Sequence, residues 1–143
     1  MKNGLIRSIG LLILISINQT SLAQLPVSFG KLDLNSAIAS LPKMSVEPFE
    51  SIALLDNGET GVRVFRVYNP VPRHHHAYSS TYLKIHSGRG RFRINNGNII
   101  EAGAGDMVFW ERGIDHEVVS IIEHPLTFIA LDTQVRRDSD VQK

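Results

Sequence analysis

The stretch "VPRHHHAYSSTYLKIHSG", Val71 to Gly88, holds four of the six histidines of a 143-residue chain, three of them in a row. Successive side chains of a strand point to opposite faces, so in an extended run His74 and His76 project together and His75 points away. Two imidazoles on one face make a two-nitrogen bite for a metal ion, which needs a third ligand from elsewhere in the chain. On the following strand Thr81, Leu83 and Ile85 share a face, and His86 has the opposite parity and points outward. A slip of register by one residue would exchange these faces.

Away from this stretch the period of two persists. "GVRVFRVY" alternates valines and Phe65 with arginines; "RFRI" and "NIIEAG" flank Asn96-Gly97, a type I′ hairpin signal; "DMVFW", "HEVVSII" and "LTFIAL" follow. Short strands punctuated by Gly, Asn and Pro indicate an all-β sandwich or small barrel. One short helix precedes them, with Asp33 or Asn35 as cap, Leu34, Ile38 and Leu41 on one face and Pro42 at its end. At the other end, "DTQVRRDSDVQK" is polar enough to fray.

The first 23 residues have a positive start at Lys2 and Arg7, an apolar core from Ile9 to Ile17 and a small-x-small site at Ser21-Leu22-Ala23, the pattern of a secretory signal cleaved after Ala23. The apolar core is far shorter than the ~20 residues that span a bilayer. Export to the periplasm or medium is therefore expected, with no membrane association afterwards. Without residues 1–23 the chain carries thirteen Lys and Arg against fourteen Asp and Glu, and the dispersed basic residues offer no stripe for nucleic acid. The absence of cysteine excludes disulfides and thiolate ligands, so any metal must be held by nitrogen and oxygen.

A second element completes the reading: Gly105, five residues, Glu111-x-Gly113, two residues, His116, three residues, Ser120. Together with His74-x-His76, four residues, Thr81, six residues, Gly88, this chain resembles the cupin superfamily, whose two motifs have these spacings. The resemblance covers about Val62 to Leu131, and two motifs at fixed spacing are far more specific than either alone. It implies a single-domain double-stranded β-helix, or jelly-roll barrel. The divisions expected are 1–23 signal, 24–61 helix and strand extension, 62–131 core barrel and 132–143 polar tail. It also implies that His74, His76 and His116 hold one divalent transition metal (Fe, Zn, Mn or Ni) inside one end of the barrel, and a homodimer is expected by the same analogy. The chain departs from the pattern at Tyr68, Glu111 and Ser120, which shape loops, and at Thr81, where the family places a glutamate ligand. A neutral hydroxyl is a poor ligand, so the site reads as three neutral imidazoles around an uncompensated ion.

Leu83, Ile85, Phe92 and Ile94 are expected to line the pocket with Thr81. Phe109 and Trp110 occupy a strand on which one must face in. Arg89, Arg91 and Arg93 alternate with Phe92 and Ile94 and are expected on a solvated outer face. For proton transfer the mouth offers Glu111 and Tyr82, with Tyr78 a third option. Two functions remain open. One is a metalloenzyme acting on a small molecule, as a dioxygenase or as a Lewis-acid isomerase or lyase. The other is a non-catalytic module binding a metal or a small ligand such as a carbohydrate.

Overall fold

In the computed structural model residues 30–142 are described, apart from the side chain of Asp138. The expected signal segment, residues 1–23, lies outside them. The helix α1 (Leu34–Ser40) is capped by Asp33, whose carboxylate accepts the Ser36 amide at 3.0 Å. Eight strands follow: β1 (Phe49–Asp56), β2 (Thr60–Val67), β3 (Val71–His76), β4 (Ser80–Ile94), β5 (Ile99–Gly103), β6 (Met107–Trp110), β7 (His116–Thr133) and β8 (Val141–Gln142).

Two long strands organise the barrel. The first half of β7 lies between β3 and the end of β4, and its second half lies between β2 and the start of β4. β4 divides in the same way, pairing with β6 at its start and β5 at its end. Each strand therefore serves two sheets, and the sequence segments "TYLKIHSG" and "RFRI" are one strand, as are "HEVVSII" and "LTFIAL". The bend lies where the β4–β7 register shifts, around Ser87 to Gly90. Gly88, at φ 80, faces the Glu123 and Pro125 carbonyls, and any Cβ would stand 2.5 Å from each. No other residue fits there without moving two backbones.

The core fills the space between the sheets. Phe65 and Val67 from β2, Leu83, Ile85 and Phe92 from β4, Trp110 from β6, and Leu126, Phe128 and Ala130 from β7 form one buried cluster. Phe65 stacks on Phe128 at 4.7 Å between centroids. The alternate residues of β2 face out: Val64 packs under Ala37, Ile38 and Leu41 of the helix segment. Arg66 reaches past it to the helix end, donating to the carbonyls of Ile38, Leu41 and Pro42. It thereby gives partners to the Leu41 and Pro42 carbonyls at the helix end and a second one to that of Ile38.

Two local expectations change. The hairpin between β4 and β5 turns at Asn95 and Asn96, with Asn95 at φ 54 and the Gly97 amide donating to the Ile94 carbonyl, so its centre lies one residue before Asn96-Gly97. Four residues separate the strands, and asparagine adopts the left-handed region readily, so the two-residue geometry does not apply. The tail, through Gln142, folds back on the sheet. After Gln134, at φ 56, the chain turns back through a 3-10 turn at Asp138–Asp140, and β8 pairs with β3, His75 opposite Gln142 and His76 opposite Val141.

Candidate metal centre

His74 and His76 come from β3 and His116 from the first position of β7, where it pairs with His74. One ring nitrogen from each lies within 4.8 Å of the other two, and ring centroids are 4.3 to 5.2 Å apart. The Nδ1 atoms of His74 and His116 sit 2.7 and 3.0 Å from the carbonyls of Pro72 and Ile114, each two residues back. A carbonyl only accepts, so each Nδ1 carries the proton and each Nε2 lone pair is left for a ligand. Trp110 stacks on His116 at 3.8 Å between centroids and fixes its plane.

Burial keeps all three imidazoles neutral. His76, fully enclosed, is pushed down to about 2, first by burial and then by the positive charge of Arg136; His116 is lowered to about 3, again mainly by burial, and His74 is lowered for the same reason. Neutral imidazole is the ligating form. Both nitrogens of His76 are buried with no hydrogen-bond partner. A polar atom orphaned in this way is costly unless something completes it, and a divalent cation bound by the three nitrogens would do so. The residues present therefore fit a metal ion.

Thr81 is fully buried on the same side of β4 as Leu83, and its hydroxyl is spent on a carboxylate. It donates at 2.7 Å to Asp132, which in turn accepts Arg63 Nε at 2.8 Å. Asp132 is occupied by these partners, and among the described residues no carboxylate joins the three-histidine group.

Beside the ring opens a small apolar cavity. His74 and His116 border it together with Phe49, Phe65, Leu83, Phe92, Trp110 and Phe128, and two arginines, Arg63 and Arg136, stand at its wall. Of the expected lining, Leu83 and Phe92 border the cavity. Thr81, Ile85 and Ile94 do not, because Thr81 is engaged with Asp132 and the two isoleucines are spent in the core.

The expected proton-transfer residues are elsewhere. Tyr82 has the parity opposite to Leu83 and lies on the outside of the sheet, stacked on Phe109 at 6.0 Å. Glu111 accepts Ser80 Oγ at 2.7 Å and the Tyr82 hydroxyl at 3.3 Å, so the two expected residues pair with each other outside the cavity. Tyr78 is exposed beyond β3. Trp110 is the inward member of its pair and Phe109 the exposed one. His75 turns from the ring and meets Asp115 at 3.1 Å, and His86 is exposed. Arg89, Arg91 and Arg93 pair on the outer face with Glu101, Glu123 and Glu117.

Sequence reasoning missed Arg63, Asp132, Arg136 and Asp140. The first two had a signal, since Arg63 shares parity with Phe65 and Val67, and Asp132 with Phe128 and Ala130. The other two lie in the polar tail, where no periodicity marks a buried side.

No curated protein matches the chain by sequence. Residues 65–132 match the family described as the cupin domain. Among solved structures, Pac13 from Streptomyces, described as a nucleoside dehydratase and solved with uridine, superposes with TM-score 0.61 at 13% identity over 81% of this chain and 90% of its own. A Klebsiella pneumoniae protein with a double-stranded β-helix domain gives TM-score 0.58 at 17% identity over 78% and 96%. A variant of Bacillus subtilis oxalate decarboxylase gives 0.59 at 13% identity over 75% of this chain and 31% of its own. At these identities the likeness establishes the fold. Motif spacing, barrel topology and family match agree, and residues 65–132 form a cupin domain.

Proposed function

We propose that this cupin is an exported metalloenzyme that holds one divalent transition metal on His74, His76 and His116 and acts on a small anionic molecule by Lewis-acid chemistry of the lyase or isomerase type. The observation that carries the reading is the set of three neutral imidazoles, two of which, His74 and His116, border an apolar cavity. A bound ion would supply the polarisation of a substrate oxygen. Three neutral imidazoles would leave the charge of a bound ion uncompensated, which favours an anion, and the aromatic wall excludes water, which strengthens each polar contact made there. Two neighbours in fold, a nucleoside dehydratase and an oxalate decarboxylase, support this class by analogy alone.

A second reading, binding without catalysis, is favoured by one specific feature. Glu117 is the one carboxylate residue among those bordering the cavity, and it follows His116 on the strand, so it projects to the other face, where Arg93 donates to it at 2.6 Å. No carboxylate base is thus aimed at a substrate from the described cavity lining.

The test begins with metal analysis of the purified protein and His116→Ala. About one ion per chain in the first and almost none in the second is expected, and equal metal in both would end the assignment. Turnover is then assayed with nucleosides, uronates and small dicarboxylates, and oxygen uptake by iron-loaded protein is followed with diketones and thiols. Product without oxygen consumption supports the Lewis-acid reading, and substrate-dependent oxygen uptake replaces it with dioxygenation. Tight binding of one of these anions without turnover favours the binder. Mass spectrometry of protein from the producing cell should show a chain beginning at Gln24.

A further inference from the structure

Asp140 lies in the segment that composition marks as a loose end, yet it is 1% exposed. Three of its atoms have definite surroundings. Its carbonyl accepts the Ala77 amide at 2.9 Å, and its Oδ1 accepts the Tyr78 amide at 2.6 Å, so the residue clamps the chain just after the histidine run. Its Oδ2 is buried without a hydrogen-bond partner and stands 3.6 Å from Nδ1 of His76, which also has none. The two unsatisfied atoms face one another, a fraction of an ångström beyond hydrogen-bond distance.

The three histidines are otherwise held unequally. Pro72 and Ile114 supply local carbonyls to Nδ1 of His74 and His116, whereas no backbone carbonyl reaches Nδ1 of His76. The group in the corresponding place is a carboxylate 64 residues along the chain. Ligating imidazoles commonly donate their remaining N–H to such a group, which fixes the tautomer and raises the basicity of the ligating nitrogen.

We propose that Asp140 is the positioning residue of His76. It accepts the Nδ1 proton, presents Nε2 to the metal, and so makes closure of the C-terminal tail part of metal binding. The inference rests on the three-histidine reading. It also accounts for the charge of the site: Thr81 provides no carboxylate to the ion directly, and Asp140 provides one through the imidazole. Since coupling between two events is reciprocal, a metal that tightens the His76–Asp140 contact must also hold the tail more firmly.

The test uses zinc alone, with affinity measured by competition against a chromophoric chelator and tail closure by hydrogen exchange at the amides of Ala77 and Tyr78. Asp140→Asn keeps the size of the side chain and an oxygen for the Tyr78 amide but puts an amide donor, in place of the acceptor, opposite Nδ1. Zinc affinity about 10- to 100-fold below wild type is expected. Wild-type affinity in a variant whose Ala77 and Tyr78 amides remain protected would overturn the proposal. Should that variant lose the tail, the wild-type chain still decides the matter. Zinc should slow exchange at both amides, and in His76→Ala it should not. Exchange indifferent to zinc in a wild-type chain that binds zinc would overturn the proposal while leaving the three-histidine site intact. Equal zinc affinity in wild type, His76→Ala and His116→Ala would overturn that site itself.

Discussion

Two buried polar clusters share the interior of this barrel, and they differ in completeness. In the first, Arg63, Asp132 and Thr81 satisfy one another: Asp132 accepts from both neighbours, and the guanidinium also lies 4.7 Å over the Phe65 ring. In the second, both nitrogens of His76 and one oxygen of Asp140 are unspent. A closed network in low dielectric serves the fold, because every desolvated group has its partner. An open one costs stability, and a protein keeps it where a ligand completes it. The contrast separates a structural charge pair from a binding site though both lie in the interior.

The largest effect should come from breaking the closed cluster. Asp132→Ala leaves the Arg63 charge, 11% exposed, without its carboxylate. Removing one partner of a buried pair costs about 3–5 kcal/mol, a large share of the stability of a domain this size. Urea unfolding should show that loss, while the folded variant retains the metal content of the wild type. Loss of metal at unchanged stability would reverse the roles assigned to the two clusters.

Acidification should act on the open cluster next. Unfolded imidazoles titrate near 6.5, whereas burial holds His116 at about 3 and His76 at about 2. Below pH 6.5 the unfolded chain therefore binds more protons than the folded one. The metal-free protein has its full stability above that pH and loses it as the pH falls toward 3. The slope of each group rises from about 0.7 kcal/mol per pH unit at pH 6.5 toward about 1.4 below it, so the step from pH 6.5 to 5.5 should cost about 2 kcal/mol for the two together. Denaturant midpoints measured in the presence of a chelator across this range check the slope; a flat profile would mean that these imidazoles are protonated in the folded state.

How much of this was legible depended on whether a residue spoke through period or through partnership. His74 and His76 shared a face by alternation, and His116 entered through motif spacing, so the ring of imidazoles could be read before any fold was known. Gly88 closed the first motif in the sequence, and the reason for it lies in the corner where β4 crosses β7. Tyr82 and Glu111 stand close to the motif in sequence, but parity decides against them: Tyr82 follows an inward residue and so faces out, where Glu111 meets it. Asp140 could not have been found, since a carboxylate in a polar tail looks solvated until β8 pairs with β3 and buries it. Thr81 was read by what it lacks, a carboxylate. What it does instead depends on Asp132, 51 residues away.

That hydroxyl gives the finest test of the comparison. Thr81→Val keeps the shape of the side chain and removes the donor to Asp132. The carboxylate retains Arg63, so it is not orphaned, and the loss should be that of one hydrogen bond to a charged acceptor, about 1.5–3 kcal/mol at most and nearer 1 if Arg63 closes the gap. Zinc affinity should stay within about twofold of wild type, since the hydroxyl is spent on Asp132. A variant that unfolds at wild-type urea but binds zinc tenfold more weakly would place Thr81 with the histidines. The boundary between the closed cluster and the open one would then run on the other side of this residue, between Thr81 and Asp132.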